Sequence, residues 1–101
     1  MAITYPFIGS VCVVRTRSSG VFFGRVDQYG ENEAIVKDAR RLWYWEGAAS
    51  LSQLACEGVK SPNNCKFPRA VESVFLTEVI EIIPSTKEAE ESISSVPVWE
   101  S

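Results

Sequence analysis

Arg40 and Arg41 stand just ahead of an aromatic run, Trp43-Tyr44-Trp45, in the stretch KDARRLWYWEG. Guanidinium groups donate paired hydrogen bonds to phosphate, and flat rings stack on nucleobases. Extended backbone alternates its side chains between two faces. On that pattern Arg41, Trp43 and Trp45 share one face, and Arg40, Leu42 and Tyr44 share the other. The first face offers a cation beside two indoles, which suits a planar anionic ligand. A plainer reading is open on the same residues. Trp is heavily buried on average, and arginine stems cover apolar surface without binding anything. The residues alone therefore leave a core strand and a ligand platform as alternatives.

A second constellation is RTRSSG, residues 15–20. Arg15, Thr16, Arg17 and Ser18, with Ser19 and Gly20, occupy and flank a hairpin turn. Backbone N–H groups in such a turn can form an anion-binding nest, and hydroxyls can donate to phosphate oxygens. The segment does not match the Walker phosphate loop, and it reads equally as an exposed polar hairpin end. Ser50 opens a short helix, SLSQLACEG. The N–H groups at that helix start, with Ser52 and Gln53, could meet a ligand, or Ser50 could be an ordinary cap. Lys60, Asn63, Asn64 and Lys66 in the following loop could close over a ligand or simply be solvated. Two separate segments thus pair arginines with groups able to hold a nucleotide.

Composition narrows the chemistry. The 101 residues contain no histidine, which excludes Ser-His-Asp and Cys-His catalysis within one chain. A carboxylate pair or a lysine nucleophile remains open, but no spacing singles one out, so the expectation is a protein that is not an enzyme. Cys12, Cys56 and Cys65 are odd in number and lie 44 and 9 residues apart. With no histidine beside them, neither a disulfide framework nor a zinc site is expected. The expectation is no cofactor and no metal.

The net charge of −3 hides an asymmetry. Residues 1–70 carry +3, and residues 71–101 carry −6. A duplex nucleic-acid binder usually shows a basic stripe and a high pI, whereas this pI is about 4.9. A small anionic ligand needs only a few local arginines. No apolar run reaches the roughly 18 residues of a membrane helix. The start MAITYPFIGS lacks a basic opening and a continuous apolar stretch, so no signal peptide is expected.

The elements that must position these residues follow from local pattern. SVCVVRTR (10–17) and VFFGRVDQ (21–28) are β-branched and apolar, and SSG between them is a turn, which together predicts a hairpin. AIVKDARRLWYW (34–45) reads as a third strand, interrupted near Asp38-Ala39. Leu51, Leu54 and Ala55 share a helical face, and Gly58 suits the position just past that helix. AVESVFLTEVIEIIP (70–84) reads as one long strand or two short ones. Ser85 with Glu88 three residues on predicts a capped C-terminal helix. The tail SVPVWES reads as irregular, its Trp99 either loose or docked on a neighbouring subunit. The fold class expected is α+β and β-rich: a small bent sheet or partly open barrel of four to five mostly antiparallel strands with two short helices. The length suits one domain over 1–101. It divides into an N-terminal arm (1–9), a β-rich core (10–84) with helix 50–58, a C-terminal helix (85–96) and a tail (97–101).

RTRSSGVFFGRV, KDARRLWYWEGAASLSQLACEGV and LTEVIEIIPSTKEAEESI resemble a family of small proteins encoded mainly by tailed bacteriophages and prophages. Its pattern is an RTxSxG hairpin, an aromatic ARRhWYWxGA segment and a closing hxEIIPxT element, and the likeness covers most of residues 14–93. The family carries no assigned function. Its setting, taken with the arginine, aromatic and hydroxyl inventory, implies a phage anti-defence protein in the host cytoplasm. Such a protein would resemble the molecular sponges that bind and sequester cyclic di- or oligonucleotide immune signals without cleaving them, typically as homo-oligomers. Its ligand contacts would come from Arg15, Thr16, Arg17, Ser18, Arg40, Arg41, Trp43, Tyr44, Trp45 and Ser50, with no membrane and no duplex nucleic acid involved. The competing expectation is a non-enzymatic oligomeric module that acts on a host protein.

Overall fold

The computed structural model describes residues 7–100. Most of the arm expected over 1–9 lies outside the described residues, as does Ser101. Five strands form one antiparallel sheet: β1 (Val11–Thr16), β2 (Val21–Tyr29), β3 (Ala34–Arg41), β4 (Val71–Leu76) and β5 (Val79–Pro84). The helices are α1 (Leu51–Glu57) and α2 (Lys87–Ser94), with a short 3-10 turn at Pro62–Asn64. The α+β, β-rich class read from the sequence is the class observed. The strand order is β4-β3-β2-β1-β5.

That order forces the sheet to bend. β4 and β5 lie on opposite edges, yet only Thr77 and Glu78 separate them. In a flat five-stranded sheet the two edges would stand about 19 Å apart. The step from Leu76 to Val79 spans at most about 10 Å. The sheet therefore curls until the edges nearly meet, giving a partly open barrel. The turn is tied down where they meet: Val79 donates its backbone N–H to Asn32 O (2.9 Å), and Arg17 donates its own to Glu78 O (3.0 Å).

Irregularities in the ladders supply the curl. Register shifts occur between Phe23 and Arg25, between Val26 and Gln28, and between Arg15 and Thr16. Asp38 adopts a left-handed φ of 50° at the first of these, the interruption expected near Asp38-Ala39. Opposite it, Gly24 has Lys37 O and Val36 Cγ1 within 2.7 Å of where a Cβ would stand. Bulges of this kind bend a strand and increase its twist.

The bend gives the sheet two buried faces, which explains why VCVV and VFF are continuously apolar rather than alternating. The concave face holds Cys12, Val14, Phe22, Val26, Val36, Leu76 and Val79. The convex face presents Val13, Phe23 and Leu42 to Leu54, Ala55, Phe67, Ile93 and Val96 beneath the helices. The helix ends match their signals with one exception. Ser50 accepts Gln53 N–H (3.1 Å) as the α1 cap, and Gly58 (φ 76°) follows the helix where a Cβ would collide with Ser92. At α2 the cap is Thr86, which accepts Ala89 N–H (3.1 Å). Ser85 stays tied to the sheet, bonding Val11 O through its N–H (3.0 Å) and its hydroxyl (2.7 Å), so the expected Ser85–Glu88 capping box does not form. The segment 70–84 is two short strands. The expected third strand stops at Arg41, because its partner β2 begins at Val21 and Leu42 N–H donates the last bond to Val21 O (2.8 Å). The chain pairs once more further on, between Tyr44 and Lys66.

Arg40 fastens the helical layer to the sheet. Only 9% of the residue is exposed. Its guanidinium donates to five backbone carbonyls: Pro68 (3.1 Å), Ile93 (3.0 Å), Phe67 (3.2 Å), Val96 (2.6 Å) and Pro97 (3.1 Å). It also lies 5.4 Å from the Phe67 ring centre. The tail docks beside it, with Trp99 N–H on Phe67 O (3.0 Å) and the Lys66 ammonium 5.6 Å from the Trp99 ring, so Trp99 is held within its own chain. Replacing Arg40 with Met should leave these carbonyls without a donor, at a cost of roughly 2–4 kcal/mol. Thermal unfolding of Arg40→Met should then fall by about 10–20 °C. Arg40→Lys should recover only part of the loss, because a compact ammonium lacks the fork that serves all these carbonyls at once. An unchanged melting temperature for Arg40→Met would remove Arg40 from this role.

Candidate functional site

The β1–β2 turn and the strand end after β3 come together at one cleft. Ser18, Ser19, Gly20 and Val21 form one wall, and Arg41, Leu42, Trp43 and Trp45 form the other, around about 290 Å³. The antiparallel β2–β3 ladder brings them together. Phe22 faces Arg41 in its register, and the Leu42–Val21 bond extends it to the hairpin. The alternation read from the sequence continues past the end of β3. Arg40 and Leu42 turn into the core, and Arg41, Trp43 and Trp45 turn to the cleft. Trp45 is half-buried against the convex-face core, whereas Trp43 is 64% exposed.

Arg41 borders two depressions, this cleft and a second of about 290 Å³ that it lines with Phe22, Ala39, Arg69 and Val71. The Arg41 guanidinium lies 4.7 Å from the Phe22 ring centre, and Arg41 forms no ion pair among the described residues. Ser19 presents a hydroxyl with no protein partner among the described residues. Ser18 donates its hydroxyl to Glu78 Oε2 (3.2 Å). Gly20 holds φ 97°, the left-handed conformation that closes the turn. The lining has no carboxylate.

The other residues expected at the site lie elsewhere. Arg40 is buried, and its donors are engaged by carbonyls. Thr16 is buried within the hairpin, donating to Gly20 O (2.8 Å) and accepting Ser19 N–H (2.9 Å); its hydroxyl shapes the loop rather than facing a ligand. Arg15 pairs with Glu81 across the β1–β5 ladder at 3.9 Å. Arg17 lines a separate depression with Asn32 and Glu78. Tyr44 turns away from the cleft, donating to Glu46 Oε2 (3.0 Å), with the Lys66 ammonium 5.8 Å from its ring. The hydrogen bond and negative charge of Glu46 raise its phenol pKa above the usual value. Ser50 caps α1 and does not line the cleft. Ser19, Gly20, Val21 and Leu42 complete the lining; Val21 and Leu42 carry no chemical signal, and only the β2–β3 register could have placed them.

Two larger depressions suit an anion less well. One, of about 470 Å³ beside α2, contains Arg25, whose charge meets Asp38 at 3.8 Å, together with the fully engaged Arg40 and Glu90. The other, of about 600 Å³ at the β5 edge, carries Glu31 and Glu81 and no cation among its described lining residues.

Comparison with known proteins adds a family. Residues 9–93 match the model described as Domain of unknown function (DUF6948). The chain belongs to this family. No curated protein and no solved structure matches it. The matched DUF6948 region runs from the turn before β1 into α2, so it contains both walls of the cleft.

The burial pattern separates the residues of the β3 wall by role. Trp43→Ala should change the stability by less than about 0.5 kcal/mol, as for an exposed side chain. Leu42→Ala, whose side chain is sealed in the core, should cost about 2–5 kcal/mol. Acrylamide quenching of tryptophan fluorescence should lose its most accessible component in Trp43→Phe. Quenching that does not change in that variant would mean Trp43 is covered.

Proposed function

We propose that this protein is a non-catalytic nucleotide binder that captures a cyclic di- or oligonucleotide signal, in keeping with a phage anti-defence sponge acting in the host cytoplasm. The observation that carries the reading is an unpaired arginine beside an exposed indole and a Ser-Ser-Gly turn in one open cleft. Trp43 and Trp45 would stack a base, Arg41 would hold a phosphate, and Ser19 with the turn would hydrogen-bond to it. Stacking contributes about 1–3 kcal/mol per base. Arginine adds a forked, charge-assisted pair of hydrogen bonds. A total near −10 kcal/mol corresponds to tens of nanomolar, enough for sequestration. The phage setting rests on the family resemblance in the sequence motifs.

A second reading has its own observation. β4 is an edge strand whose Val71 and Phe75 are 51% and 61% exposed. A host protein could add a strand there.

Isothermal titration calorimetry against a panel of cyclic dinucleotides should show tight binding to at least one member, recovered chemically unchanged. Trp43→Ala and Arg41→Ala should each weaken it by about 10-fold or more. Arg15→Ala, outside the cleft, should leave it as it was. A folded protein that gives no heat with any member, yet captures a stoichiometric host protein through the β4 edge, would replace the first reading with the second.

A further inference from the structure

Resting on that reading, we infer that the cleft is one lobe of a longer groove, and that Arg69 in the other lobe holds the second phosphate of a ligand that carries two. Arg41 lies at the join. On one side it lines the cleft that holds Trp43 and Trp45. On the other it lines a depression of the same size, about 290 Å³, with Phe22, Pro68, Val71 and Val74. Arg69 is the second cation in that lining. Each lobe alone sits at the lower edge of the roughly 300–1,000 Å³ of ligand pockets, and the two together fall inside that range. No carboxylate lines either lobe.

The β3–β4 ladder is what brings the two cations together. Ala39 faces Val71 in its register. Arg41 lies two residues on from Ala39, and Arg69 two residues back from Val71, so the antiparallel direction carries both to the same end. The side chains divide accordingly: Arg40 and Ala70 line the depression beside α2, whereas Arg41 and Arg69 line the one with Phe22. Like charges across a ladder repel, and an anion on each relieves the repulsion. Arg69 is answered only by Glu100, at 3.4 Å, with the two side chains 75% and 74% exposed. Exposed pairs of this kind add little to stability. A phosphate accepts from the same guanidinium fork and can take the place of the carboxylate. The ligand that fits is a nucleotide with two separate phosphates. One base stacks on the indoles, one phosphate meets Arg41 and the other meets Arg69, and the second nucleoside rests on Pro68 and Val71.

The experiment is titration calorimetry on the full chain and its variants. Cyclic di-AMP and cyclic GMP–AMP are the two-phosphate probes, and 5′-AMP and 5′-GMP the one-phosphate probes. Arg69→Ala should weaken a dinucleotide by about 10-fold or more, and a mononucleotide by less than about 2-fold. Arg41→Ala should weaken both kinds. Glu100→Gln, which removes the competing carboxylate, should tighten the dinucleotide by about 2- to 5-fold and leave the mononucleotide as it was. Arg69 is exposed, so Arg69→Ala should keep the melting temperature of the unmodified protein. Folded Arg69→Ala that binds the dinucleotide within about 2-fold of the unmodified protein would overturn this inference and leave the single-cleft reading standing. An equal loss for both kinds of probe would do the same, because Arg69 would then have no second phosphate to itself. Folded protein that binds none of the four probes would overturn both.

Discussion

One buried guanidinium ties the helical layer and the tail to the sheet. Arg40 carries a positive charge in the contact layer between sheet and helices, with no carboxylate among the described residues to meet it. Burial lowers its pKa from the usual value, but arginine stays protonated, so the charge must be solvated by the protein. The solvent is the carbonyl set of two loops and a helix end. Ile93 lies in the last turn of α2, and Val96 and Pro97 follow it. A helix C-terminus gathers partial negative charge, and α2 has no basic residue in its own last turn. Arg40 provides that cation from β3, more than 50 residues away in the chain. The interaction joins β3 to the end of α2 and to the tail that follows it.

Arg41 inherits its position from this. Adjacent residues of a strand point to opposite sides, so an Arg40 locked inward holds Arg41 outward against Phe22. The next outward residues, Trp43 and Trp45, follow the same alternation. The two arginines that look equivalent in the sequence are thus a structural solvent-replacer and an uncommitted surface charge. Nothing in an Arg-Arg pair says which is which. The answer depends on where the carbonyls of residues 67–97 end up, and that is a property of the whole fold.

Local signals read true wherever the physics is local. Ser50 and Gly58 bracket α1 as their side chains require, the Asp38 interruption is a real bulge, and the two-sided burial of VCVV and VFF lies in plain view as unbroken apolar runs. Signals failed where a longer-range contact overrode a local one. Ser85 has the residue type and spacing of a helix cap, but both its N–H and its hydroxyl are held by Val11 O, so the helix begins a residue later. Thr16 has a hydroxyl suited to phosphate, but the tight hairpin occupies it. The strand order was beyond reach for the same reason: β4 and β5 are neighbours in sequence and opposite edges of the sheet. Only the bend reconciles those facts. The alternation over 41–45 could be read because it needs no partner other than extended backbone.

The charge distribution then ranks the molecule's hollows as candidate sites for an anion. Size alone would choose the depressions beside α2 or at the β5 edge. In the first, each guanidinium already has its acceptors, so an incoming phosphate would have to compete with Asp38 or with five carbonyls. In the second, Glu31 would repel it, and Glu81 already holds Arg15. An anion gains most where a cation has not yet been answered, because there the desolvation of the phosphate is offset by a hydrogen-bonded charge pair and not merely exchanged for a broken one. Arg41 meets that condition, and the indoles beside it offer the uncharged half of a nucleotide a surface that water solvates poorly.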